Sequence, residues 1–259
     1  MNHSRKSHII EYLNKDTRYD GRKLLEFRKF EFKQGIIKTA EGSAWVRLGD
    51  TEVIAGVKFE LGQPYPDIPE EGTMMVNVEL LPLSSPEFEP GPPGEWAVEV
   101  SRVVDRGIRE SKVIDTRSLC VEKGKLVWNI LIDICPINEA GNLLDVSGIA
   151  AYLALEDAKF PDREDDKVDY KKLTNKKLKL SGMPIPISVL KIGDKLIVDP
   201  IPEEESILDA RLTVCTLNDK IISALQKGGG VPLNDKDISE MIDIAFKKAK
   251  EIRLKINKG

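Results

Sequence analysis

The sequence has few cysteines and no long apolar run, and each absence excludes a class of protein. The three cysteines, Cys120, Cys135 and Cys215, are odd in number and far apart, which argues against a disulfide framework and against a cysteine-bound metal. No stretch approaches the roughly 20 continuous apolar residues that cross a bilayer, and the polar start of the chain lacks the apolar core of a signal peptide. We therefore expect a cytoplasmic protein in a reducing compartment, with no metal, no cofactor and no membrane contact.

An excess of basic charge is also absent. The formal net charge is −4, so the molecule as a whole does not attract nucleic acid, and any such binding requires a local basic cluster. What the sequence does contain is enough apolar residues, 41% of 259, to build the core of one large domain or of two compact lobes.

Runs of strand-like sequence are interrupted by single helical patterns. Alternating or β-branched segments predict strands, and apolar residues at helical spacing predict helices. In the first half the predicted strands are 27–32, 43–48, 52–59, 74–81 and 125–137, and the predicted helices are 98–112 and 143–158. In the second half the predicted strands are 185–192, 195–198, 211–217 and 221–226, followed by a helix at 235–254 that Asn234 would cap. This order indicates α+β layers rather than a doubly wound parallel sheet.

Composition divides the chain into four predicted segments. They are an N-terminal extension (1–20), a first domain (21–160), a charged connecting segment (161–182) and a second, smaller α+β lobe (183–259). The connecting segment is dense in Asp and Lys and poor in large apolar residues, which is typical of a solvated loop or a short insertion. We expect no catalytic residue in it.

The turn before the helix at 143–158 has the geometry of an anion site but not the side chains. Gly141-Asn142 is a turn signal between a buried strand and the helix. Free N–H groups and the positive end of the helix dipole attract anions at such a position, and a phosphate-handling enzyme ordinarily adds Thr, Ser or Arg there. This chain instead has Leu143 and Leu144.

The helix at 98–112 carries three arginines on one side. At about 100° per residue, an apolar face that includes Val100 and Val104 lies opposite Arg102, Arg106 and Arg109. Guanidinium groups bind phosphate oxygens in a bidentate way, so the stripe fits a nucleic-acid backbone. The alternative is a solvated face whose arginines pair with neighbouring carboxylates of the same helix. The pattern alone leaves both interpretations open.

Several separated segments resemble one family, in order and in spacing. They are Arg18-Tyr19-Asp20-Gly21-Arg22, Gly49-Asp50-Thr51, Asn77-Val78-Glu79-Leu80-Leu81-Pro82, Val98-Glu99-Val100-Ser101-Arg102-Val103-Val104 and Leu196-Ile197-Val198-Asp199-Pro200. This layout resembles the RNase PH superfamily, phosphorolytic 3′ to 5′ exoribonucleases whose fold is similar to domain 2 of ribosomal protein S5. The resemblance covers nearly the whole chain after about residue 18. It implies an RNase PH-like α+β core with a second, smaller α+β lobe.

Carried over position by position, the resemblance implies a degenerate active site. Trp96 stands where active members have a phosphate-binding Arg, and Leu143 and Leu144 stand where they have a polar turn. Counting without a gap puts Arg211 at the position of the catalytic Asp, whereas a gap of one or two residues would return Asp209 to it. Because phosphorolysis requires bound phosphate beside the scissile bond, Trp and Leu at these positions predict the absence of catalysis.

The function that the resemblance implies is that of a non-catalytic ring subunit of the archaeal exosome. Its expected partners are a catalytic RNase PH-like paralogue, arranged as a trimer of heterodimers in a hexameric ring, RNA-binding cap subunits and single-stranded RNA. Arg102, Arg106 and Arg109 would help to hold the RNA backbone. Two alternatives remain open: an active phosphate-dependent exoribonuclease that uses Asp209, and an RNA-binding scaffold that forms no nuclease ring.

Overall fold

The computed structural model describes residues 3–165 and 167–258. Met1, Asn2, Asp166 and Gly259, which fall in the predicted extension, connecting segment and second lobe, lie outside the described residues. The helices are α1 His3–Asn14, α2 Glu95–Glu110, α3 Leu143–Asp157, α4 Pro202–Glu205 and α5 Asp235–Ile256, with a short 3-10 helix at Thr116–Leu119. The strands are β1 Phe30–Gln34, β2 Gly42–Leu48, β3 Thr51–Gly62, β4 Thr73–Val78, β5 Cys120–Glu122, β6 Leu126–Asn138, β7 Lys159–Glu164, β8 Lys167–Lys177, β9 Ile185–Ile192, β10 Lys195–Val198, β11 Ala210–Thr216 and β12 Ile222–Gly228.

The first lobe is a six-stranded sheet covered by helix α3. The strand order is β1-β2-β3-β6-β4, with β5 beside β6, and the pairing is antiparallel except between β4 and β6. Strand β3 alternates, so that Val53, Val57 and Phe59 face the core. Gly42 lets β2 and α3 approach closely, because a Cβ there would lie 2.3 Å from the Ala154 carbonyl oxygen.

The second lobe is a four-stranded antiparallel sheet in the order β10-β9-β11-β12. Helix α5 packs against β9 and β11, and the predicted cap is confirmed, since Asn234 Oδ1 accepts a hydrogen bond from the Asp237 N–H at 2.8 Å. Helix α3 packs against both sheets and is buried on almost every side. The two lobes therefore share one continuous apolar core. The division of the chain at residues 20, 160 and 182 stays a prediction.

The charged connecting segment differs from the solvated loop that its composition predicts. Strands β7 and β8 form an antiparallel hairpin, most of which is exposed to solvent. Its apolar anchor is Phe160, which stacks on Phe59 with the ring centres 4.4 Å apart. Most of the exposed side chains are charged, beside Tyr170 and Leu173, and Lys172 pairs with Asp162 at 2.5 Å. Because the strands bury almost nothing beyond this anchor, they lack the apolar alternation by which strands are recognised in a sequence.

The N-terminal extension contains a helix that sequence analysis missed, and it packs on the second lobe. Ile9 and Leu13 of α1 are buried in a small cluster with Leu190 and Ile197. The motif that follows α1 is anchored by Arg18, whose side chain is 0% exposed. None of the helices in the described part of the chain combines the length and the apolar character needed to cross a bilayer.

Candidate nucleic-acid interface

Helix α2 presents its arginines on the side away from the core. Its apolar face, which includes Val100 and Val104, is buried against the rest of the molecule. Arg102, Arg106 and Arg109 are all exposed, as helical spacing predicts. Together they line an open depression of about 280 Å³. The structure therefore brings the three predicted residues together on one accessible surface.

The three arginines differ in how much of their hydrogen-bonding capacity is already used. Arg109 donates to both oxygens of Asp105, at 2.6 and 2.9 Å, and to the Met74 carbonyl oxygen at 2.7 Å, and the bond to Asp105 raises the pKa of Arg109. Arg106 makes one hydrogen bond within the described ranges, to Gln226 Oε1 at 3.1 Å. Arg102 has no polar partner among the described residues. Most of the capacity for an external anion therefore lies with Arg102 and Arg106.

Trp96 and Arg211, distant in the sequence, lie in contact. The guanidinium carbon of Arg211 is 5.6 Å from the centre of the Trp96 ring, and the same group forms an ion pair with Glu99 of α2. The Arg211 side chain is 11% exposed, and a Cβ on Gly228 would approach it to 2.8 Å. A cation–π contact and an ion pair thus fill the space between α2 and β11.

Trp96 also borders a larger cavity beside the loop at 89–94, in which three of the six residues are prolines. This cavity has a volume of about 590 Å³ and is lined by residues 77–81 and 87–97. Its lining includes four glutamates, Glu79, Glu87, Glu89 and Glu95. Because their charge repels phosphate groups, the cavity does not fit an RNA backbone.

The turn before α3 is closed rather than open to an anion. Leu143 and Leu144 are 1% and 3% exposed and belong to the core. Asn142, with φ of +62°, donates its N–H to Glu205 Oε1 at 2.9 Å. A carboxyl group of the same chain therefore occupies the position that an anion would take at this helix start.

Buried carboxyl groups at this turn were missed by sequence analysis. Burial raises the pKa of Asp145 to about 7 and the pKa of Glu205 to about 7. Asp145 Oδ2 accepts a hydrogen bond from the Ser188 N–H at 3.0 Å, whereas Oδ1 has no partner among the described residues. Acidic residues in the first turn of a helix are ordinarily solvated, so nothing in the local pattern distinguishes Asp145.

An ion-pair network also holds the turn before α3, at Gly141 and Asn142. Asp199 is 0% exposed and pairs with Arg28 at 2.6 Å and with Arg22 at 2.8 Å. Arg28 also donates to the Gly141 carbonyl oxygen at 3.1 Å. Arg22 and Asp199 stand in the motifs quoted above, and the structure gives both of them a structural role.

Asp209 lies outside the cluster formed by Trp96, Glu99 and Arg211. Its carboxylate accepts hydrogen bonds from the Gly193 N–H at 2.6 Å and from Lys6 Nζ at 3.2 Å. Within the described part of the chain, no polar contact joins it to that cluster.

Among the described residues, no group of three or more His, Cys, Asp and Glu side chains is placed to hold a metal ion.

The two helix-backed lobes correspond to two domains of one known family. Residues 26–161 match the 3′ exoribonuclease family, domain 1, and residues 182–248 match the 3′ exoribonuclease family, domain 2. The chain belongs to this family, the RNase PH family, as its motifs predict.

Individual relatives cover almost the whole chain. An exosome complex component Rrp42 from Thermococcus kodakarensis is 46% identical over 262 residues, covering 98% of this chain and 94% of that protein. The protein of the same name from Archaeoglobus fulgidus is 44% identical over 252 residues, covering 97% of this chain and 95% of the relative.

Solved structures confirm the predicted fold. A chain of the Archaeoglobus fulgidus exosome with RNA bound to the active site superimposes with a TM-score of 0.90 at 43% identity, covering 98% of both chains. A chain of an archaeal exosome core gives a TM-score of 0.87 at 38% identity, covering 98% of this chain and 96% of the other.

Proposed function

We propose that this chain is a non-catalytic ring subunit of an archaeal exosome. It alternates with a catalytic RNase PH-like paralogue in a hexameric ring, a trimer of heterodimers, which carries RNA-binding caps on one face. The proposal places the complex in the cytoplasm, where free thiols such as those of the three cysteines persist. The observation that carries it is that one molecule has both an exposed face with Arg102 and Arg106 and a turn before α3 that is closed to an anion.

The closed site supports the absence of catalysis. Transfer to inorganic phosphate requires that this polyanion be held and its charge stabilised. Leu143 and Leu144 are in the core, and one Nη of Arg211 is paired with Glu99. Removal of one hydrogen-bond donor that stabilises developing negative charge typically costs about two to three orders of magnitude in rate, and here several positions are changed together.

The open face supports RNA binding through the backbone. Arg102 and Arg106 retain donors for phosphate oxygens, whereas Arg109 serves mainly to order Asp105 and the adjacent strand β4. Phosphate contacts position a nucleic acid without reading its sequence. We therefore assign to this subunit a sequence-independent share of RNA binding beside the active site of its neighbour.

The first test compares three preparations: this chain alone, the catalytic paralogue alone and the two together. We expect phosphate-dependent release of nucleoside diphosphates from single-stranded RNA in the mixture and none from this chain alone. Native mass spectrometry of the mixture should give a defined hetero-hexamer. Both readouts use the full chains.

Each alternative predicts a different result. Degradation of RNA by the isolated chain with phosphate, abolished by Asp209→Ala, would establish the active enzyme instead. Failure to form a defined ring, with RNA binding retained, would establish the scaffold.

The second test reverses the charge of the arginine face in the assembled ring. Arg102→Glu with Arg106→Glu is expected to weaken RNA binding about 10-fold or more at 0.1 M salt, because two phosphate contacts are lost and repulsion is added. The matched control is Lys247→Glu with Lys250→Glu, which makes the same change of charge on exposed positions of α5. Fluorescence anisotropy with labelled RNA measures the affinity of both double variants. Equal losses of affinity in the two would show that Arg102 and Arg106 have no specific role in RNA binding.

A further inference from the structure

Arg211 connects the second lobe to helix α2. Its contact on α2 lies at Glu99, about one helical turn before Arg102. It stands on β11, and its guanidinium reaches Glu99 and the Trp96 ring, both on α2. Because side chains alternate along a strand, Arg211 and Cys215 lie on the same face of β11, and Cys215 Sγ contacts the Gly107 carbonyl oxygen of α2 at 3.8 Å. Helix α2 therefore lies across this face of the second sheet.

The polar contacts between this sheet and α2 fall at two places. Near the C-terminal half of the helix, Gln226 accepts a hydrogen bond from Arg106, and Ser223 Oγ donates to the Gly107 carbonyl oxygen at 3.4 Å. At the N-terminal half, the ion pair of Arg211 with Glu99 is the one polar contact between α2 and the sheet in the part of the chain that the structure describes. The turn that carries Arg102 lies between these two places.

We infer that Arg211 is a positioning residue for RNA binding: its ion pair with Glu99 fixes the turn of α2 that presents Arg102. The inference rests on the proposed RNA-binding role of Arg102 and Arg106. Arg102 has no polar partner in the part of the chain that the structure describes, so its orientation depends on the helix beneath it. A helix that is already fixed loses less conformational entropy when RNA binds, and this preorganisation raises affinity.

The decisive variant is Glu99→Gln in the assembled ring. This change removes a negative charge near the arginine face, so electrostatics alone predicts tighter RNA binding. The positioning role predicts the opposite, a loss of about threefold to 10-fold in affinity, because Arg211 no longer holds the helix. Arg211→Met, which keeps an apolar contact with Trp96, should weaken binding by a similar factor, mainly as a rise in KM for RNA.

Exchange of the two charges tests the pair directly. Glu99→Arg combined with Arg211→Glu restores an ion pair in reverse, and we expect it to recover RNA affinity to within about twofold of the original chain. The matched control is Arg253→Met. Arg253 has the same exposure as Arg211, 11%, and donates to Thr216 at the far end of β11, but it has no polar contact with α2 among the described residues.

A second readout separates positioning from general loss of stability. Hydrogen exchange in the full-length chain should quicken about 10-fold in residues 95–102 of Arg211→Met, whereas Arg253→Met should leave that segment unchanged.

The results discriminate between two failures. Tighter RNA binding by Glu99→Gln, or a charge exchange that recovers nothing, overturns the positioning role. Unchanged RNA binding after reversal of Arg102 and Arg106 overturns the proposed RNA role instead, while hydrogen exchange still reports whether Arg211 holds α2.

Discussion

Replacement of Arg18 by methionine is expected to lower the free energy of unfolding by about 3–5 kcal/mol, the cost of breaking a fully buried ion pair. Arg18 and Glu204 are both 0% exposed, and Arg18 also donates to the carbonyl oxygens of Val198 and Asp199 at 2.8 Å. The variant leaves the Glu204 carboxylate buried without its counter-charge and takes one donor from each of the two carbonyl groups, of which that of Asp199 keeps Arg22 as a donor. Urea unfolding followed by circular dichroism measures the loss.

Two further variants show whether the loss comes from the unpaired charge. Arg18→Met combined with Glu204→Gln removes both charges and should regain a large part of the stability. Lys15→Met breaks an ion pair with Glu11 in which the side chains are 68% and 64% exposed, and it should cost less than about 1 kcal/mol. If Arg18→Met costs no more than Lys15→Met, the buried pair does not anchor the N-terminal segment.

The second large effect is a fall in stability as the pH rises, caused by Asp145. Burial raises its pKa from 3.8 to about 7, so the folded chain keeps a proton that the unfolded chain has released. Between pH 3.8 and about pH 7, the folded state binds more protons than the unfolded state does. The free energy of unfolding therefore decreases as the pH rises through this range. At about 1.4 kcal/mol per pH unit, the loss through this group between pH 5 and pH 8 is about 2–3 kcal/mol.

Asp145→Asn removes this dependence because an amide keeps the acceptor for the Ser188 N–H without a charge. Relative to the original chain, the variant should therefore gain about 2–3 kcal/mol between pH 5 and pH 8. Asp67→Asn, at an exposed carboxylate, serves as the control. The free energy of unfolding is measured with urea at several pH values between about pH 5 and pH 8. A difference between the original chain and Asp145→Asn that does not change with pH would contradict the prediction. Glu205→Gln should act in the same direction, since burial raises the pKa of Glu205 to about 7.

The proposed absence of a phosphate site at the turn before α3 is compatible with a stable fold. The Glu205 carboxyl group accepts the Asn142 N–H, and Leu143 and Leu144 extend the core. An unsatisfied N–H at a buried helix start would be costly. Substitution of the turn by apolar residues is thus compatible with a stable protein because the chain supplies an acceptor of its own.

Much of the secondary structure could be predicted from the sequence. Strands β9 and β10 have the predicted bounds, and α5 begins where Asn234 predicts it. These elements bury one face or both, so their apolar spacing records the local geometry. Helix α1 was missed because its stability comes from packing on the second lobe, and strand β8 was missed because it buries almost no apolar side chain.

The candidate site was predictable in part. Helical spacing was enough to place Arg102, Arg106 and Arg109 on an exposed face, because the angle between residues of a helix is fixed. Which of them retains free donors was not predictable, because Arg109 is bound by the Met74 carbonyl oxygen and Arg106 by Gln226. Both partners come from other segments of the chain.

The sequence by itself determined the α+β order of elements, the exposed arginine face and the apolar residues at a turn suited to an anion. Each of these depends on local periodicity or on residue type. Only the tertiary structure decided that Arg211 pairs with Glu99, that Glu205 closes the turn before α3 and that Asp145 is buried. Burial and charge pairing depend on which distant segments meet, and that information is not local to any stretch of the sequence.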